Sequence, residues 1–324
     1  MQEVFFVIDS FGRKIEYMRV SVTDRCNLRC GYCMPDGVKS IPMEEILTFE
    51  EIAEVCRAAA SLGVKYIRLT GGEPLVRPEI EKLVRMIKSI EGIEKLTMTT
   101  NGLLLKDKLA ELIRAGLDGV NISLDTLDRE KYRRLTGFDR LGGALEALDS
   151  ACASGIKVKI NTVVLNENID ECADIARLSK DRPIDVRFIE IMPIGEGKKY
   201  SSISCEQVFT RIKELYPGIR PEISDEIGGP AVYYRIDGFR GRTGFINAVH
   251  SMFCDGCNRI RLTSEGFLKT CLCYDSGAQL KGIIRSGGDI RPIMERAVYE
   301  KPEKHCFDSS MGVTEKRGMS GIGG

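Results

Sequence analysis

Three cysteines near the amino terminus have the spacing of metal ligands. Cys26, Cys30 and Cys33 form a C-x3-C-x2-C motif that supplies three thiolates within eight residues. That is one ligand fewer than the four that complete a structural zinc site or an iron-sulfur cubane. Two interpretations follow. The thiols belong to a structural site whose fourth ligand comes from elsewhere in the chain, or they hold an iron-sulfur cluster with one open iron.

A second candidate site is the run Thr70-Gly71-Gly72-Glu73-Pro74, which follows a predicted strand. The two glycines allow the backbone to approach a ligand closely, and a carboxylate such as Glu73 at a strand end can receive an ammonium group. Taken alone the run is a weak signal, because GG-x-P also occurs in ordinary turns.

Four further cysteines lie near the other end of the chain. They are Cys254, Cys257, Cys271 and Cys273. Their spacing predicts a zinc ribbon in which all four sulfurs fill one tetrahedral site. Arg259 and Arg261 favour another interpretation, because alternate residues of a strand project from one face. Two guanidinium groups beside the thiols could hold an anionic ligand against the metal.

The composition excludes several functional classes. The 324 residues are 43% hydrophobic and 29% charged, which is typical of a globular protein with a sizeable core. The 47 basic residues balance the 47 acidic ones, so no overall field attracts nucleic acid or an anionic membrane. Small molecules are therefore the expected partners. Because the sequence shows neither a long apolar run nor a secretory signal, we expect a cytoplasmic protein.

Predicted strands and helices alternate through the first part of the chain. The strands are predicted at about residues 17–23, 65–70, 95–100, 119–125, 156–165 and 184–191, and the helices at about 48–63, 78–90, 104–115, 139–154 and 168–180. Such alternation requires a parallel sheet with right-handed crossovers. Six units are two short of a closed eight-stranded barrel, so we predict an α/β fold with a partial, TIM-like (β/α)6 barrel. A doubly wound sheet is the alternative.

The alternation ends near residue 201. A helix is predicted at residues 205–215, a Pro/Gly-rich passage follows, and strands are predicted at 232–236 and 244–249. We therefore predict a barrel domain over residues 1–200 and a C-terminal α+β extension over residues 201–324. Composition alone predicts that the glycine-rich end of the chain is a flexible tail.

The cysteine motif with Tyr32 before its last cysteine, followed by GGEP after the second strand, resembles the radical S-adenosylmethionine superfamily. The fold of that superfamily is a partial barrel. The resemblance implies that Cys26, Cys30 and Cys33 hold a 4Fe-4S cluster whose open iron binds the amino and carboxylate groups of S-adenosylmethionine. It also implies a set of residues that contact this cofactor, namely Tyr32, Gly72, Glu73, Ser123 and Met192.

Further motifs narrow the resemblance. The chain is similar to the GTP 3′,8-cyclase family of molybdenum cofactor biosynthesis in three motifs. These are C-x2-C-x13-C with N-R-I-R-L after its second cysteine, a Gly-Gly terminus and the opening R-V-S-V-T-D-R-C-N. This resemblance implies that a second 4Fe-4S cluster, on Cys254, Cys257 and Cys271, binds the guanine of GTP, and that Cys273 is a bystander. It implies a substrate pocket formed by Arg19, Arg68, Thr99, Lys159, Arg187, Arg259 and Arg261. Catalytic roles would fall to Arg259, Arg261, Gly323 and Gly324.

The same resemblance implies a reaction and its partners. A 5′-deoxyadenosyl radical would take hydrogen from ribose C3′ of GTP, and attack on guanine C8 would give 3′,8-cyclo-7,8-dihydro-GTP. The expected partners are an electron donor of the flavodoxin or ferredoxin type, the next enzyme of the pterin pathway, and a second copy of the chain in a homodimer. Two alternatives stay open: a peptide-modifying radical S-adenosylmethionine enzyme with an auxiliary cluster, and a zinc-ribbon binding protein.

Overall fold

Strands and helices alternate through most of the computed structural model, which describes residues 7–37, 41–222, 229–250, 253–307 and 312–323. Within these residues the strands are β1 (Tyr17–Ser21), β2 (Tyr66–Thr70), β3 (Lys95–Thr100), β4 (Gly119–Ser123), β5 (Lys157–Val164), β6 (Asp185–Glu190), β7 (Arg220–Glu222), β8 (Val232–Arg235), β9 (Arg242–Ile246), β10 (Arg259–Leu262), β11 (Phe267–Lys269) and β12 (Gly277–Gln279). The helices are α1 (Phe49–Ser61), α2 (Ile80–Lys88), α3 (Leu105–Arg114), α4 (Arg129–Thr136), α5 (Leu141–Ala153), α6 (Cys172–Asp181), α7 (Cys205–Leu215), α8 (Lys281–Arg285) and α9 (Arg291–Tyr299).

All of these strands belong to one sheet with the order β12-β11-β10-β1-β2-β3-β4-β5-β6-β9-β8-β7. Strands β1 to β6 pair in parallel with their neighbours in chain order. This arrangement confirms the predicted α/β fold with a parallel sheet. Among the described strands β12 and β7 are the two edges, so the sheet does not close.

The later part of the chain continues this sheet at both edges. Strand β10 adds in parallel to β1, and β9 adds in parallel to β6. Antiparallel strands then follow outside each of them. Both predicted parts, residues 1–200 and 201–324, therefore contribute strands to one shared sheet. Their division into two domains stays a prediction.

Side chains of the parallel strands alternate between two environments. One set of alternate residues, such as Met18, Leu69 and Ile122, is fully buried in one hydrophobic core that includes the apolar sides of the helices. Neighbouring helices contact one another, α1 with α2, α2 with α3 and α6 with α7. The strand residues that alternate with this set therefore face the other side of the sheet, because successive side chains of a strand point in opposite directions.

The predicted helices agree with the observed ones, but α4, α8 and α9 were not predicted. Thr48 forms the predicted capping box with Glu51 at the start of α1. Helix α4 was missed because five of its eight residues are charged and it buries few apolar side chains. Its ends carry recognisable caps, since Asp128 accepts a hydrogen bond from the Lys131 N–H and Gly137 takes a left-handed conformation with φ of 79°. Strand β1 ends at Ser21, before the predicted end at residue 23.

Over the described part of the chain, every helix is too short or too polar to cross a lipid bilayer.

Candidate active site

A cavity of about 660 Å³ is lined by the parallel strands from their first residues, such as Tyr17 and Lys95, to the loops at their carboxyl ends. Its lining includes all the cysteines of the two predicted triplets and the loops that follow β2, β3, β4 and β6. This volume lies in the range of pockets that bind small molecules. Packing therefore brings the two cysteine motifs, which stand far apart in the sequence, to one site.

The other predicted site residues of the described chain also line this cavity, apart from Gly323. They are Arg19, Arg68, Thr99, Ser123, Lys159, Arg187, Arg259 and Arg261 from the strands, and Tyr32, Gly72, Glu73 and Met192 from the loops. Within each strand these residues alternate with the buried core positions and so share the face that points away from the core. The sheet register places Arg19 beside both Arg68 and Arg261. Their individual roles stay predictions.

The loop with the first cysteines is held by the glycine run after β2. The Gly72 N–H donates to the Thr23 carbonyl and the Glu73 N–H donates to the Arg25 carbonyl, each at 2.8 Å. A Cβ atom on Gly72 would collide with the Arg25 carbonyl oxygen. Glycine is therefore required for this close approach, as its lack of a side chain suggests.

Burial governs the chemistry of the first three thiols. It raises the pKa of Cys26, raises that of Cys30 well above its usual value and raises that of Cys33 to about 12. The thiols are therefore protonated at neutral pH when no metal is bound. A metal that binds them as thiolates must displace these protons.

Glu73 is a buried carboxylate with a perturbed pKa. It is 1% exposed, and burial raises its pKa to about 7 although three hydrogen bonds favour the charged form. Oε1 accepts hydrogen bonds from Thr100 Oγ1 at 2.8 Å and from the Leu75 N–H at 3.0 Å, and Oε2 accepts one from the Asn101 N–H at 2.7 Å. The carboxylate is therefore fixed in orientation and can gain or lose a proton near neutral pH.

Tyr32 also lines the cavity and is held there by a buried carboxylate. Its hydroxyl donates to Asp125 Oδ2 at 2.6 Å, and Asp125 Oδ1 accepts from the Val163 N–H at 2.9 Å. The Tyr32 ring also packs edge-on against Tyr200, with centroids 6.4 Å apart. Burial raises the pKa of Asp125 to about 6. These contacts fix the Tyr32 ring beside the first cysteine loop.

The second cysteine triplet lies in a more positive environment. The His305 N–H donates to the Cys254 sulfur at 3.4 Å, and burial raises the pKa of Cys254. Burial also acts to raise the pKa of Cys257, but the positive charges of Lys301 and Arg259 outweigh it and lower that pKa to about 7. Thiolate formation is therefore easier at Cys257 than at the first three cysteines.

Cys273 does not belong to the cavity lining. It is fully buried, and its sulfur lies 2.7 Å from the sulfur of Cys306. The Cys306 N–H also donates to the Cys273 sulfur at 3.2 Å. A zinc ribbon with all four late cysteines would need Cys273 as a ligand, whereas here its sulfur contacts a cysteine outside that motif.

Positive charges dominate the strand face of the cavity. Burial and the neighbouring Arg261 lower the pKa of Arg19 well below its usual value. Burial and the neighbouring Arg259 lower the pKa of Arg261 to about 10. The Nε atoms of Arg187 and Arg259 are buried and have no hydrogen-bond partner within the described ranges. A ligand with several negative oxygens would relieve this repulsion and satisfy these donors.

Lys157 and Lys159 share one face of β5 but differ in burial. Lys159 is 8% exposed, its Nζ lies 3.4 Å from Asp185, and it donates to the Tyr233 hydroxyl at 3.2 Å. The Lys157 Nζ lies 3.6 Å from the same carboxylate, but its side chain is 41% exposed. Lys159 is therefore the better placed of the two to hold a buried ligand.

The last described residue enters the site. The Gly323 carbonyl oxygen accepts hydrogen bonds from Arg19 Nε and Arg261 Nη1, both at 3.2 Å, and from Thr70 Oγ1 at 3.1 Å. The expectation of a flexible tail is therefore wrong for Gly323, whose carbonyl is bound by strand residues. Gly324, which was predicted with it, lies outside the described residues.

Each triplet offers one thiol fewer than the four ligands of a closed zinc site or cubane. This donor set fits a 4Fe-4S cluster with one open iron. Within the described ranges, no three side chains of His, Cys, Asp or Glu already converge closely enough to bind one ion together.

Asp125, Asn161 and Lys301 also line the cavity but belong to none of the predicted motifs. Asp125 and Asn161 could have been found from the sequence, because each lies two residues after a predicted site residue, Ser123 or Lys159, in the same predicted strand. Asn161 orients a predicted residue, since Arg187 Nη2 donates to its Oδ1 at 2.5 Å. Lys301 has no such signal, because it follows α9 and reaches the site through packing.

Comparisons with known proteins agree with this architecture. Residues 20–179 match the Radical SAM superfamily, and residues 184–307 match the family described as Molybdenum Cofactor Synthesis C. A Clostridium perfringens protein named GTP 3′,8-cyclase is 44% identical over 321 residues, which cover 98% of this chain and 99% of that protein. A Peptoclostridium acidaminophilum protein of the same name is 45% identical, with 98% of each chain covered. The solved structure titled "Native anSMEcpe with bound AdoMet" has a TM-score of 0.59 at 15% identity, covers 89% of this chain and 81% of that chain, and shares the fold.

Proposed function

This chain belongs to the GTP 3′,8-cyclase family of radical S-adenosylmethionine enzymes, and from this premise we propose how its cavity binds and cyclises GTP. The enzyme converts GTP to 3′,8-cyclo-7,8-dihydro-GTP in molybdenum cofactor biosynthesis. The observation that carries the proposal is that one cavity contains both thiol triplets and a row of cationic side chains. A peptide-modifying enzyme or a zinc-ribbon protein would not require this row of charges.

The first thiol triplet is proposed to hold a 4Fe-4S cluster. Cys26, Cys30 and Cys33 would each bind one iron and leave the fourth open to S-adenosylmethionine. When bound, this pair supplies the 5′-deoxyadenosyl radical that takes hydrogen from ribose C3′. The protein confines this chemistry, since the cluster loop is covered by the glycine run at Gly72.

Glu73 is proposed to receive the ammonium group of S-adenosylmethionine. Its carboxylate is fixed by three hydrogen bonds and has a pKa of about 7, so a positive charge would draw it into the ionised form. Tyr32, held by Asp125, would contact the adenine. Ser123 and Met192 line the same cavity and complete the proposed cofactor contacts.

The cationic strand face is proposed to bind the triphosphate. The residues concerned are Arg19, Arg68, Thr99, Lys159, Arg187, Arg259 and Arg261. Several guanidinium groups in one place suit a polyanion, because each can donate two parallel hydrogen bonds to phosphate oxygens. Arg187 is oriented for this by hydrogen bonds to Asn121 and Asn161. The Gly323 carbonyl orients Arg19 and Arg261 in the same way.

The second triplet is proposed to hold a further 4Fe-4S cluster that binds the guanine. Cys254, Cys257 and Cys271 supply three thiols at the same cavity, again one ligand short of a closed cubane. The lowered pKa of Cys257 favours thiolate formation there. A one-electron donor of the flavodoxin or ferredoxin type, the next enzyme of the pterin pathway and a homodimer complete the proposal.

Anaerobic reconstitution followed by turnover tests this proposal. The loaded chain should contain about eight irons, and GTP, S-adenosylmethionine and a reductant should yield 5′-deoxyadenosine together with a cyclised GTP. A Cys271→Ala variant should retain about four irons and lose the cyclised product. A fully loaded chain that forms neither product would remove the proposed function, and about four irons with one zinc would remove the second cluster.

A further inference from the structure

Lys301 differs from the other buried lysines of the described chain in lacking an acidic partner. Lys159 pairs with Asp185 at 3.4 Å, and Lys269 forms an ion pair with Glu315. Lys301 is 3% exposed, yet no carboxylate within the described ranges lies at ion-pair distance from its ammonium group. A buried ammonium without a counter-charge is costly, so an anion is expected beside it.

The hydrogen bonds of Lys301 connect the two segments that bring the second triplet together. Its Nζ donates to the Arg259 carbonyl at 3.2 Å and to the Thr270 carbonyl. Arg259 begins β10, two residues after Cys257, and Thr270 immediately precedes Cys271. The ammonium group therefore joins the backbone beside one cysteine of the triplet to the backbone beside another.

Lys301 also lies at the cavity in which a negatively charged cluster on the second triplet would be bound. Its side chain lines the cavity together with Cys254, Cys257 and Cys271. A cluster held by three thiolates carries net negative charge, which becomes more negative on reduction.

We propose that Lys301 is the buried counter-charge and positioning residue of the second cluster, holding the Cys257 and Cys271 segments in register and favouring the reduced state. This inference rests on the second cluster proposed above. Removal of the charge should destabilise the more negative, reduced state and shift the midpoint potential to lower values.

The test uses full-length chains in which Cys26, Cys30 and Cys33 are replaced by Ala, so that iron can bind only at the second triplet. Lys301→Gln keeps N–H donors for the two carbonyls but removes the charge, and Lys301→Met removes both. Iron and sulfide content and the midpoint potential of the cluster are measured for each. Both variants should have a lower potential than their Lys301 parent.

The matched control is the double variant Lys269→Gln with Glu315→Gln, which removes a buried lysine together with its acidic partner. Because its net charge is unchanged, its cluster potential should equal that of the parent. If the iron-loaded Lys301→Gln variant has the parent's midpoint potential, the role of Lys301 is refuted and the second cluster is not. If Lys301→Gln loses its iron, recovery of iron in Lys301→Arg supports the role of charge, and its continued loss overturns it.

Failure of the proposed function has a different signature. If the parent with Lys301 intact binds no iron at the second triplet, the second cluster and the role of Lys301 are both refuted. Circular dichroism of each variant establishes that the chain is folded when its iron content is compared.

Discussion

The buried carboxylate of Glu73 should make the stability of the metal-free protein depend on pH. Its pKa is raised from 4.5 to about 7 in the folded chain, chiefly by burial. The folded state thus holds the proton more tightly than the unfolded state. The resulting stabilisation is complete below the unfolded pKa and is lost as pH rises through about 7. At about 1.36 kcal/mol per pKa unit, the loss between about pH 5 and about pH 8 is roughly 2.5 kcal/mol.

Glu73→Gln removes this titration, and urea unfolding under anaerobic, chelating conditions measures the effect. The variant also carries a constant offset in stability, because one side of the amide presents N–H groups where the carboxylate accepts from backbone N–H or Thr100. That offset does not depend on pH. The difference between the wild-type and variant free energies of unfolding should therefore fall by roughly 2.5 kcal/mol from about pH 5 to about pH 8.

Asp125→Asn provides the comparison. The pKa of Asp125 is raised from 3.8 to about 6. The difference in free energy of unfolding between wild type and Asp125→Asn should therefore fall by only about 1.4 kcal/mol over this range, with a midpoint at lower pH. A difference curve for Glu73→Gln that is flat, or that rises with pH, would refute the reasoning. Either result would mean that Glu73 is ionised in the folded chain throughout this range.

Two further variants test the cluster loops. Gly72→Ala should lower the free energy of unfolding by about 1 to 3 kcal/mol, because the added Cβ meets the Arg25 carbonyl. It should also reduce the iron content. Iron bound at the wild-type level would contradict this prediction. Cys273→Ala should keep about eight irons, since its sulfur contacts Cys306 and not the cavity, whereas Cys271→Ala should keep about four. Loss of the second cluster from Cys273→Ala would instead identify that cysteine as a ligand.

The parallel sheet was predictable because it depends on local patterns. Strand and helix periodicities alternate, and a helix between successive strands carries the chain back so that they run parallel. The capping box at Thr48 likewise depends on residues that are close in sequence. Helix α4 was missed because its charged, weakly apolar sequence leaves only its caps as a signal.

The early cysteine motif is local in the same sense. Cys26, Cys30 and Cys33 are close enough in sequence to meet wherever the loop folds, so their type and spacing already indicate one cluster. The orientation of Arg19 and Arg68 also follows from the two-residue repeat of a strand, once the apolar neighbours on both sides of each are recognised as the core.

Local patterns in the chain therefore specify the β/α architecture, the separate cysteine motifs and the face on which the arginines lie, since each depends on spacing of a few residues. Packing in three dimensions establishes that both motifs line one cavity, that the Gly323 carbonyl binds Arg19 and Arg261, and that Lys301 joins the segments of the second triplet. These contacts link residues far apart in the chain. Burial and charge in the packed protein determine which of these residues meet, and no local sequence pattern predicts that.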